Sequence, residues 1–240
     1  MLKYLRYLKI LYRISIFKTL WFNFRAFRIK DALKMPVLIG RGTILRNIGE
    51  IEISGKIRCA LVTIGIMYIH NDHRFARIIW NNKGSIEIGG KVQIRTGTCI
   101  CVGRKGKLHF GGINTLGFNS MIYAEKDIYI GENVGISWHV QIIDTDFHYM
   151  ENVDTGEIKP KNAPVIIHDD VWIGNHASIS KGVELAQGCI VASYSVVTKS
   201  CLEPYTLMAG VPATCKRKGL REIRDFARQL ELDEYFNSKK

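Results

Sequence analysis

The sequence predicts an all-β solenoid, a parallel β-helix, over residues 35–215, with a helical segment at each end. Residues 171–200 read VWIGNHASISKGVELAQGCIVASYSVVTKS. Large aliphatic residues recur there every six positions, each followed by a small residue, at Ile173, Ile179, Leu185, Val191 and Val197. Two residues apart on a strand means the same face, so each unit is a very short strand with an inward pair, then a turn. Because one unit cannot bury its apolar face, many units must stack.

Residues 1–34 form a basic, aromatic leader that contains no Gly or Pro. Its first 30 residues carry eight basic side chains and no acidic one, which leaves +4 of the chain's net charge of +12 for the rest. Lys3, Arg6, Lys9 and Arg13 lie three or four positions apart, so they share one helical face. Such a helix suits an anionic membrane surface, or it packs on its own body or on another subunit. Both interpretations stay open.

The body carries the period of six before residue 171 as well. Aliphatic residues keep the frame in two earlier runs, Ile88, Ile94 and Ile100, then Ile130, Ile136 and Ile142. The frame slips between residues 101 and 130 and is ragged before 86, where we expect wider turns or loops. It stops in an extended polar loop, residues 144–163. Loops that leave a rigid scaffold are where functional residues concentrate.

Residues 216–240 form the third section. Apolar residues recur there at intervals of three and four, at Leu220, Ile223, Phe226, Ala227 and Leu230. This spacing predicts an amphipathic C-terminal helix. We expect the helix to cap or buttress the solenoid, because uncovered strand edges invite aggregation.

Composition narrows the class of protein. No run of about 20 apolar residues predicts a transmembrane helix, and the N-terminus lacks the pattern of a signal peptide. Six cysteines without a CxxC pair indicate reduced thiols and a cytoplasmic protein. Cys99 and Cys101 are interpreted as packing residues. The absence of a base-reading motif argues against nucleic acid as a partner.

Four motifs in a fixed order carry a family resemblance. VWIG, KGV, VVTK and AGVPA follow one another within residues 171–213. Over about residues 84–217 the chain resembles the hexapeptide-repeat acyltransferases, above all the maltose and galactoside O-acetyltransferases and the capsule and lipopolysaccharide O-acetyltransferases. The resemblance implies a left-handed β-helix with three hexads per coil and a homotrimer. It also implies acetyl-CoA as co-substrate, no metal, and active sites between neighbouring subunits.

O-acetyl transfer needs a base that takes the proton of the attacking hydroxyl, and histidine suits this near neutral pH. The resemblance assigns the role to His148, in the loop sequence DTDFH. Asp144 and Asp146 are nearby acids that could hold the imidazole tautomer. His139, on a turn of a regular coil, is the second candidate.

The resemblance also implies two sets of binding residues. On the acceptor side are Asn119 and Glu125, with Trp138 and His139 as further candidates. Turn chemistry and coil packing are the alternatives for these four. On the donor side are residues that match contacts to CoA, with plain solvation as the alternative for the basic ones: Asn175, Ser193, Thr198, Lys199, Lys216 and Arg217.

The sequence therefore predicts an O-acetyltransferase that acts on a sugar of a surface polysaccharide or its lipid-linked precursor. Two other classes remain. One is a non-catalytic solenoid that serves in assembly. The other is a zinc enzyme of the gamma carbonic anhydrase type, which needs three histidines converging between subunits. His70 and His73 form a lone HxxH, which is a weak metal signal. We expect a cytoplasmic location, with peripheral contact to the membrane through residues 1–30 as the interpretation that the basic leader adds.

Overall fold

The computed structural model describes residues 12–66 and 77–239, which fold as a parallel β-helix flanked by helices. Each turn of the solenoid contributes one short strand to each of three sheets. The chain passes from the first sheet to the second and the third, then returns to the first sheet one coil further on. The predicted parallel solenoid is confirmed.

Strands that neighbour one another in a sheet come from successive coils. The first sheet contains, in spatial order, β1 (Val37–Ile39), β4 (Val62–Ile64), β7 (Val92–Ile94), β10 (Asn114–Leu116), β13 (Gly135–Ile136), β18 (Trp172–Ile173), β21 (Ile190–Val191), β23 (Leu207–Gly210) and β24 (Ala213–Arg217). The second contains β2 (Thr43–Asn47), β5 (Ile78–Asn82), β8 (Cys99–Val102), β11 (Met121–Ala124), β14 (Gln141–Ile143), β19 (Ser178–Ile179) and β22 (Val196–Val197). The third contains β3 (Glu50–Ile53), β6 (Ser85–Ile88), β9 (Lys107–Gly112), β12 (Asp127–Glu132), β17 (Val165–Ile167) and β20 (Glu184–Leu185).

Inward aliphatic side chains stack from coil to coil and form the core. Ile142, Ile179 and Val197 are parallel partners in successive strands, and each is fully buried. The frame slips between residues 101 and 130 because the coils there are longer. Val92 and Asn114, which begin successive strands of the first sheet, lie 22 residues apart, whereas Trp172 and Ile190 lie 18 apart.

Close stacking explains the small residue that follows each aliphatic one. A Cβ on Gly174 would lie 2.7 Å from the backbone N of Ser193 and 2.8 Å from the carbonyl O of Val191, in the next coil. Both neighbours are backbone atoms, so neither can rotate away. The glycine of VWIG therefore sets the distance between two coils.

The leader caps the N-terminal end of the solenoid. Helix α1 (Ile16–Ala26) precedes the short helix α2 (Ile29–Ala32) and buries Thr19, Phe22 and Asn23. Phe22 fills the open end of the core and meets the ring of Trp80 edge to face at 5.6 Å. The interpretation of the leader as a helix packed on its own body is thus confirmed for this part, whereas Lys3, Arg6 and Lys9 lie outside the described residues.

Polar side chains of α1 satisfy the edge of β1, which has no coil before it. The Asn23 amide donates to the Val37 carbonyl at 2.7 Å and accepts from the Val37 N–H at 3.1 Å. Thr19 Oγ1 accepts from the Ile39 N–H at 3.0 Å. Since an unpaired buried backbone group costs free energy comparable to a lost hydrogen bond, these contacts replace the missing coil.

The C-terminal end is closed by a strand and not by the C-terminal helix, so of the two predicted roles, cap or buttress, the cap is wrong. Strand β24 turns back and pairs antiparallel with β23, which leaves a hairpin at the end of the first sheet. Helix α3 (Phe226–Asn237) follows with no buried residue. It begins only at Phe226, and Leu220 and Ile223 lie in the extended segment before it. There, Arg224 donates to the carbonyls of Asn133 and Val171 and fixes the segment along the coils.

Two further expectations concern membranes and cysteines. Among the described residues, no helix has the length and apolarity needed to cross a bilayer. All six cysteines are free thiols. Cys99 and Cys101 lie half-buried on the outer side of the second sheet, with their sulfurs 3.5 Å apart.

We expect Gly174→Ala to lower Tm by roughly 3–10 °C, because overpacking of about 1–3 kcal/mol must push two coils apart. Thermal unfolding followed by circular dichroism measures the shift. Gly135→Ala is the matched control, since its Cβ would meet side-chain atoms and no backbone, namely Arg224 Nη2 at 3.2 Å and Trp172 Cδ1 at 3.7 Å. Equal Tm values for the two variants would contradict the stacking constraint.

We expect Asn23→Ala to reduce the free energy of unfolding by about 2–3 kcal/mol, because it leaves buried groups of β1 unpaired. Urea denaturation measures the change. The control is Asn47→Ala, which removes one exposed hydrogen bond to Asn81 and should cost about 0.5 kcal/mol or less. A small effect of Asn23→Ala would show that α1 does not complete the edge of β1.

Candidate active site

The extended loop leaves the solenoid between β14 and β17 and folds as a hairpin arm, a feature that the sequence did not indicate. Strands β15 (Met150–Glu151) and β16 (Ile158–Lys159) pair antiparallel. Thr145 and Asn162 close the base, with the Thr145 hydroxyl donating to the Asn162 side-chain oxygen at 2.6 Å. The arm therefore has a fixed root on the solenoid.

Asp144 holds the corner from which the arm departs. Its side chain is fully buried, and its two carboxylate oxygens accept hydrogen bonds of 2.7 Å from the backbone N–H groups of Glu125, Lys126 and Asp127. The structure thus places Asp144 in the turn of the preceding coil. Its role beside His148 stays a prediction.

Asp146 ties the arm to the following coil. Its carboxylate pairs with the Lys181 ammonium at 2.5 Å, and Lys181 also donates to the Pro160 carbonyl at 2.7 Å. One lysine therefore holds both flanks of the arm. The structure places Asp146 in this ion pair, and its contact with the imidazole also stays a prediction.

His148 is presented to solvent by the turn at the root of the arm. Phe147 adopts a left-handed φ of 63° and packs edge to face on Tyr123 at 4.8 Å. The Phe147 N–H donates to the Thr145 hydroxyl, and the His148 N–H donates to the Asp146 carbonyl. Burial and the charge of Glu125 raise the pKa of Tyr123, the residue against which this turn packs. His148 is exposed, so a substrate could reach its ring.

A second group of residues, two of them predicted from the sequence, lies at the corner where the strands of the second sheet begin. We call it the corner column: one residue from each of four successive turns between the first and second sheets, Asn119, His139, His176 and Tyr194. All four have a left-handed φ of 53–61°, which points equivalent side chains in one direction. The His139 and His176 rings stack at 4.6 Å, and the His176 and Tyr194 rings stack at 4.5 Å. The Asn119 amide lies 3.5 Å from His139 Nε2.

Three more predicted residues directly precede members of the corner column. Trp138 is exposed beside His139. Asn175 and Ser193 lie beside His176 and Tyr194, and the Ser193 hydroxyl donates to the Asn175 side-chain oxygen at 2.6 Å. The structure therefore brings acceptor-side Trp138 and donor-side Asn175 and Ser193 to one corner, an arrangement that the sequence did not show.

The remaining predicted residues lie elsewhere. Glu125 is in the turn held by Asp144 and extends over Gly103. Thr198 and Lys199 are exposed in the last coil, at the edge of the second sheet that also carries the arm. Lys216 and Arg217 are exposed at the end of β24. One chain thus does not collect all the predicted residues in a single pocket.

The corner column and the root of the arm lie at the two ends of the same short strand, β14. The length of that strand fixes their separation. Five residues lead from His139 in the corner column to Asp144 at the root of the arm, with β14 between them. At about 3.3 Å per residue the two corners are at most roughly 17 Å apart. The arm and the column therefore flank one face of the solenoid.

His176, Tyr194 and Lys181 were not singled out from the sequence. His176 and Tyr194 are 18 positions apart, three hexads, so the repeat alone could have predicted that they lie one above the other. Nothing in the sequence relates Lys181 to Asp146. Within residues 12–66 and 77–239 no group of three or more His, Cys, Asp or Glu is arranged to hold a metal ion. His70 and His73 lie outside those ranges.

Comparison with known proteins agrees with this geometry. The family model described as bacterial transferase hexapeptide (six repeats) matches residues 164–199, the coils that follow the arm. These coils are similar to those of the bacterial hexapeptide-repeat transferases. The predicted left-handed β-helix is supported by this match and by the fold of the solved structures described below.

Two curated relatives show the extent of the likeness. A probable acetyltransferase of Mycobacterium tuberculosis is 30% identical over 221 residues, which cover 89% of this chain and 63% of that protein. The galactoside O-acetyltransferase of Escherichia coli is 30% identical over 129 residues, which cover 53% of this chain and 60% of that protein. The chain thus spans about three fifths of the length of each of them.

Two solved structures share the fold. The polySia specific acetyltransferase NeuO has a TM-score of 0.53 and 18% identity, over 85% of this chain and 88% of NeuO. A variant of AntD, an N-acyltransferase from Bacillus cereus in complex with dTDP and coenzyme A, has a TM-score of 0.50 and 19% identity, over 85% of this chain and 89% of AntD.

We expect Lys181→Met to loosen the arm, because it removes the ion pair to Asp146 and the hydrogen bond to Pro160. Backbone amides of residues 147–160 should exchange with deuterium about two- to fivefold faster, in line with the free energy of a partly exposed pair. Lys199→Met, in the next coil, is the matched control and should leave the exchange unchanged. Unchanged exchange in Lys181→Met would contradict the role of Lys181.

Proposed function

We propose that the protein transfers an acetyl group from acetyl-CoA to a hydroxyl of a sugar in a surface polysaccharide or its lipid-linked precursor. The observation that supports this most directly is the pair of edges on the second sheet. One edge carries an arm that presents His148, and the other carries the corner column with Asn175 and Ser193. Both belong to or adjoin the coils matched by the transferase model.

His148 acts as the general base. One imidazole nitrogen takes the proton of the acceptor hydroxyl while the hydroxyl oxygen attacks the thioester carbonyl carbon. The tetrahedral intermediate collapses with loss of the CoA thiolate, which takes the proton back from the imidazolium. The products are a sugar acetate and CoA, and no covalent acyl-enzyme or metal takes part. Such a base contributes roughly 10²- to 10⁴-fold to the rate.

The two aspartates position the arm in this proposal. Asp144 fixes the corner, and Asp146 fixes the arm to Lys181, so both limit the positions that His148 can adopt. A base must lie within hydrogen-bond distance of the proton that it removes. A looser arm would therefore lower kcat more than it changed the binding of acetyl-CoA.

Acetyl-CoA lies along the corner column and the last coils. Asn175 and Ser193 offer polar groups to the pantetheine amides beside the small residues Gly174 and Ala192, which permit close approach of a ligand to the backbone. The phosphates require cations, and the proposed contacts are Lys199, with Thr198 beside it, and Lys216 with Arg217. The CoA bound in the related AntD structure supports this class of donor.

The acceptor binds between the donor and the arm. Trp138 offers an exposed aromatic face, and sugars pack on such faces, while Asn119, Glu125 and His139 offer hydrogen-bonding groups. The likeness to a galactoside O-acetyltransferase and a polySia specific acetyltransferase supports a sugar as acceptor.

A homotrimer completes the site. In one protomer the arm and the corner column lie on opposite edges of one face, so we propose that the arm of one protomer meets the corner column of its neighbour. The free thiols and the donor acetyl-CoA are consistent with a cytoplasmic location, which we also propose.

The first experiment is calorimetric titration of acetyl-CoA into the purified protein. We expect saturable binding, weakened roughly tenfold or more by Arg217→Ala or Lys199→Ala because each removes a charged hydrogen-bonding partner. No binding at millimolar acetyl-CoA would overturn the proposal and favour the non-catalytic solenoid. Stoichiometric zinc in the protein would instead favour the carbonic anhydrase class.

The second experiment measures CoA thiol release with soluble galactosides and sialosides as acceptors. His148→Ala should bind acetyl-CoA normally and lose roughly 10²- to 10⁴-fold in kcat. The matched control is His168→Ala, since His168 is also accessible but pairs with Glu184 at 2.8 Å on the third sheet, and it should retain full activity. An active His148→Ala variant would contradict the assignment of the base.

A further inference from the structure

Helix α1 has its polar and apolar faces in an unusual arrangement. Its polar residues Thr19 and Asn23 face the solenoid and satisfy β1. The opposite face carries large apolar side chains that no described part of the chain covers, with exposed fractions between 41% and 79%: Phe17, Leu20, Trp21 and Phe24. A helix that only capped the solenoid would carry polar residues on its outer face. The arrangement indicates that another apolar surface covers the outer face of α1.

A basic cavity adjoins the apolar face. It has a volume of about 730 Å³ and runs from Trp21 and Arg25 of α1 along the turns that leave the second sheet in the first three coils. Its charged lining residues are all basic, namely Arg25, Arg46, Lys83 and Arg104, and Asn47 and Asn82 add polar groups. None of the four cations has an ion-pair partner within residues 12–66 and 77–239.

Two cations of the cavity also act on a neighbouring thiol. A hydrogen bond from Cys99 is the largest cause that lowers the pKa of Cys101 to about 7, and the charges of Arg46 and Lys83 make smaller contributions. Cations gathered in one concave surface attract an anion. Phosphate is the anion that suits arginine forks best.

We propose that α1 docks the protein on an anionic phospholipid surface. Phe17, Leu20, Trp21 and Phe24 enter the boundary between headgroups and acyl chains, and the neighbouring cavity receives a lipid phosphate. Aromatic and basic side chains side by side are the pattern of helices that lie in the membrane interface. The charge of the leader agrees, since residues 1–30 hold eight basic residues and no acid.

Charge also favours lipid over a second copy of the chain. A two-fold contact through α1 would bring the same surface of both protomers together. The two basic cavities would then face each other, and like charges across an interface are unfavourable. An anionic bilayer covers the apolar face and at the same time neutralises the positive charge of the cavity.

Docking through α1 sets the distance that an acceptor must span between the membrane and the arm. This inference rests on the proposed function. Phe22 fills the end of the core, so the outer face of α1 points away along the solenoid axis. The arm leaves the coil of β13 and β14, four coils beyond that of β1. At about 4.8 Å per coil, the arm lies roughly 20 Å from β1, and the width of α1, about 10 Å, adds to its distance from the membrane. A lipid-linked glycan of several sugar units spans this distance, whereas a single sugar next to the lipid does not.

The test uses the full-length protein and its tryptophan fluorescence. Vesicles of phosphatidylglycerol with brominated acyl chains should quench the wild-type protein, and vesicles of brominated phosphatidylcholine alone should not. Trp21→Phe should lose most of the quenching while the protein still sediments with the vesicles. Trp138→Phe is the matched control, because Trp138 is 46% exposed and Trp21 47%, and it should retain the quenching. Quenching that survives Trp21→Phe, or that is equal with phosphatidylcholine, would overturn the proposal.

A second set of variants tests the cavity. Arg25→Glu with Arg104→Glu should reduce partition to phosphatidylglycerol vesicles at least tenfold, because each basic residue near an anionic surface contributes about fivefold. Lys159→Glu, on the arm, should have no effect. Millimolar glycerol 3-phosphate should not displace the protein from vesicles, and full displacement would mean that the cavity serves a soluble phosphate instead.

A second copy of the chain, as the occupant of this surface, would give a different result. If Phe17→Glu with Phe24→Glu reduces the oligomeric mass and the wild-type protein ignores all vesicles, the surface is a contact between copies and the proposal is wrong. None of these measurements involves acetyl-CoA, so failure of vesicle binding and failure of the proposed transferase activity are separate results.

Discussion

The parallel stacking of coils is the constraint on which the rest of the structure depends. Each strand is only two to six residues long, so its backbone hydrogen bonds and its inward side chains are satisfied almost entirely by the coils before and after it. Ile142, Ile179 and Val197 illustrate this, since each buries its side chain on its counterpart in the next coil. Each coil is therefore stabilised by its contacts with the neighbouring coils, and no coil has a core of its own.

That dependence makes the two ends of the rod the places where the pattern must change. At the N-terminal end, Asn23 and Thr19 of α1 supply the hydrogen bonds that a preceding coil would have supplied, and Phe22 fills the core. At the C-terminal end, β24 folds back as an antiparallel strand. The N-terminal solution places an exposed apolar helix face beside a cavity whose charged residues are all basic. The proposed membrane contact follows from this combination.

The same stacking organises the candidate site. Because coils repeat at a fixed separation, equivalent turns align vertically, and left-handed residues at one corner become the continuous stack from His139 to Tyr194. The arm departs where the repeat is interrupted, and buried Asp144 holds that interruption with three backbone N–H groups. The face between the corner column and the arm is rigid. It can therefore present acetyl-CoA on one side and the base His148 on the other without any mobile domain.

The sequence by itself determined the solenoid. The six-residue period of residues 171–200, the small residue after each aliphatic one and the motif order from VWIG to AGVPA indicated the inward positions, the family resemblance and the place of the arm, because these are local properties of a repeat. Only the tertiary structure decided how distant residues meet. It paired Asp146 with Lys181 and bound the Asp144 carboxylate to the turn of the preceding coil. It also placed Trp138 beside Asn175 and Ser193. Each of these contacts joins different coils, so the local sequence does not indicate it. It also decided which face of α1 is buried. Phe22, Thr19 and Asn23 share the buried face, because the end of the core takes one aromatic ring and the unpaired edge of β1 takes the polar side chains.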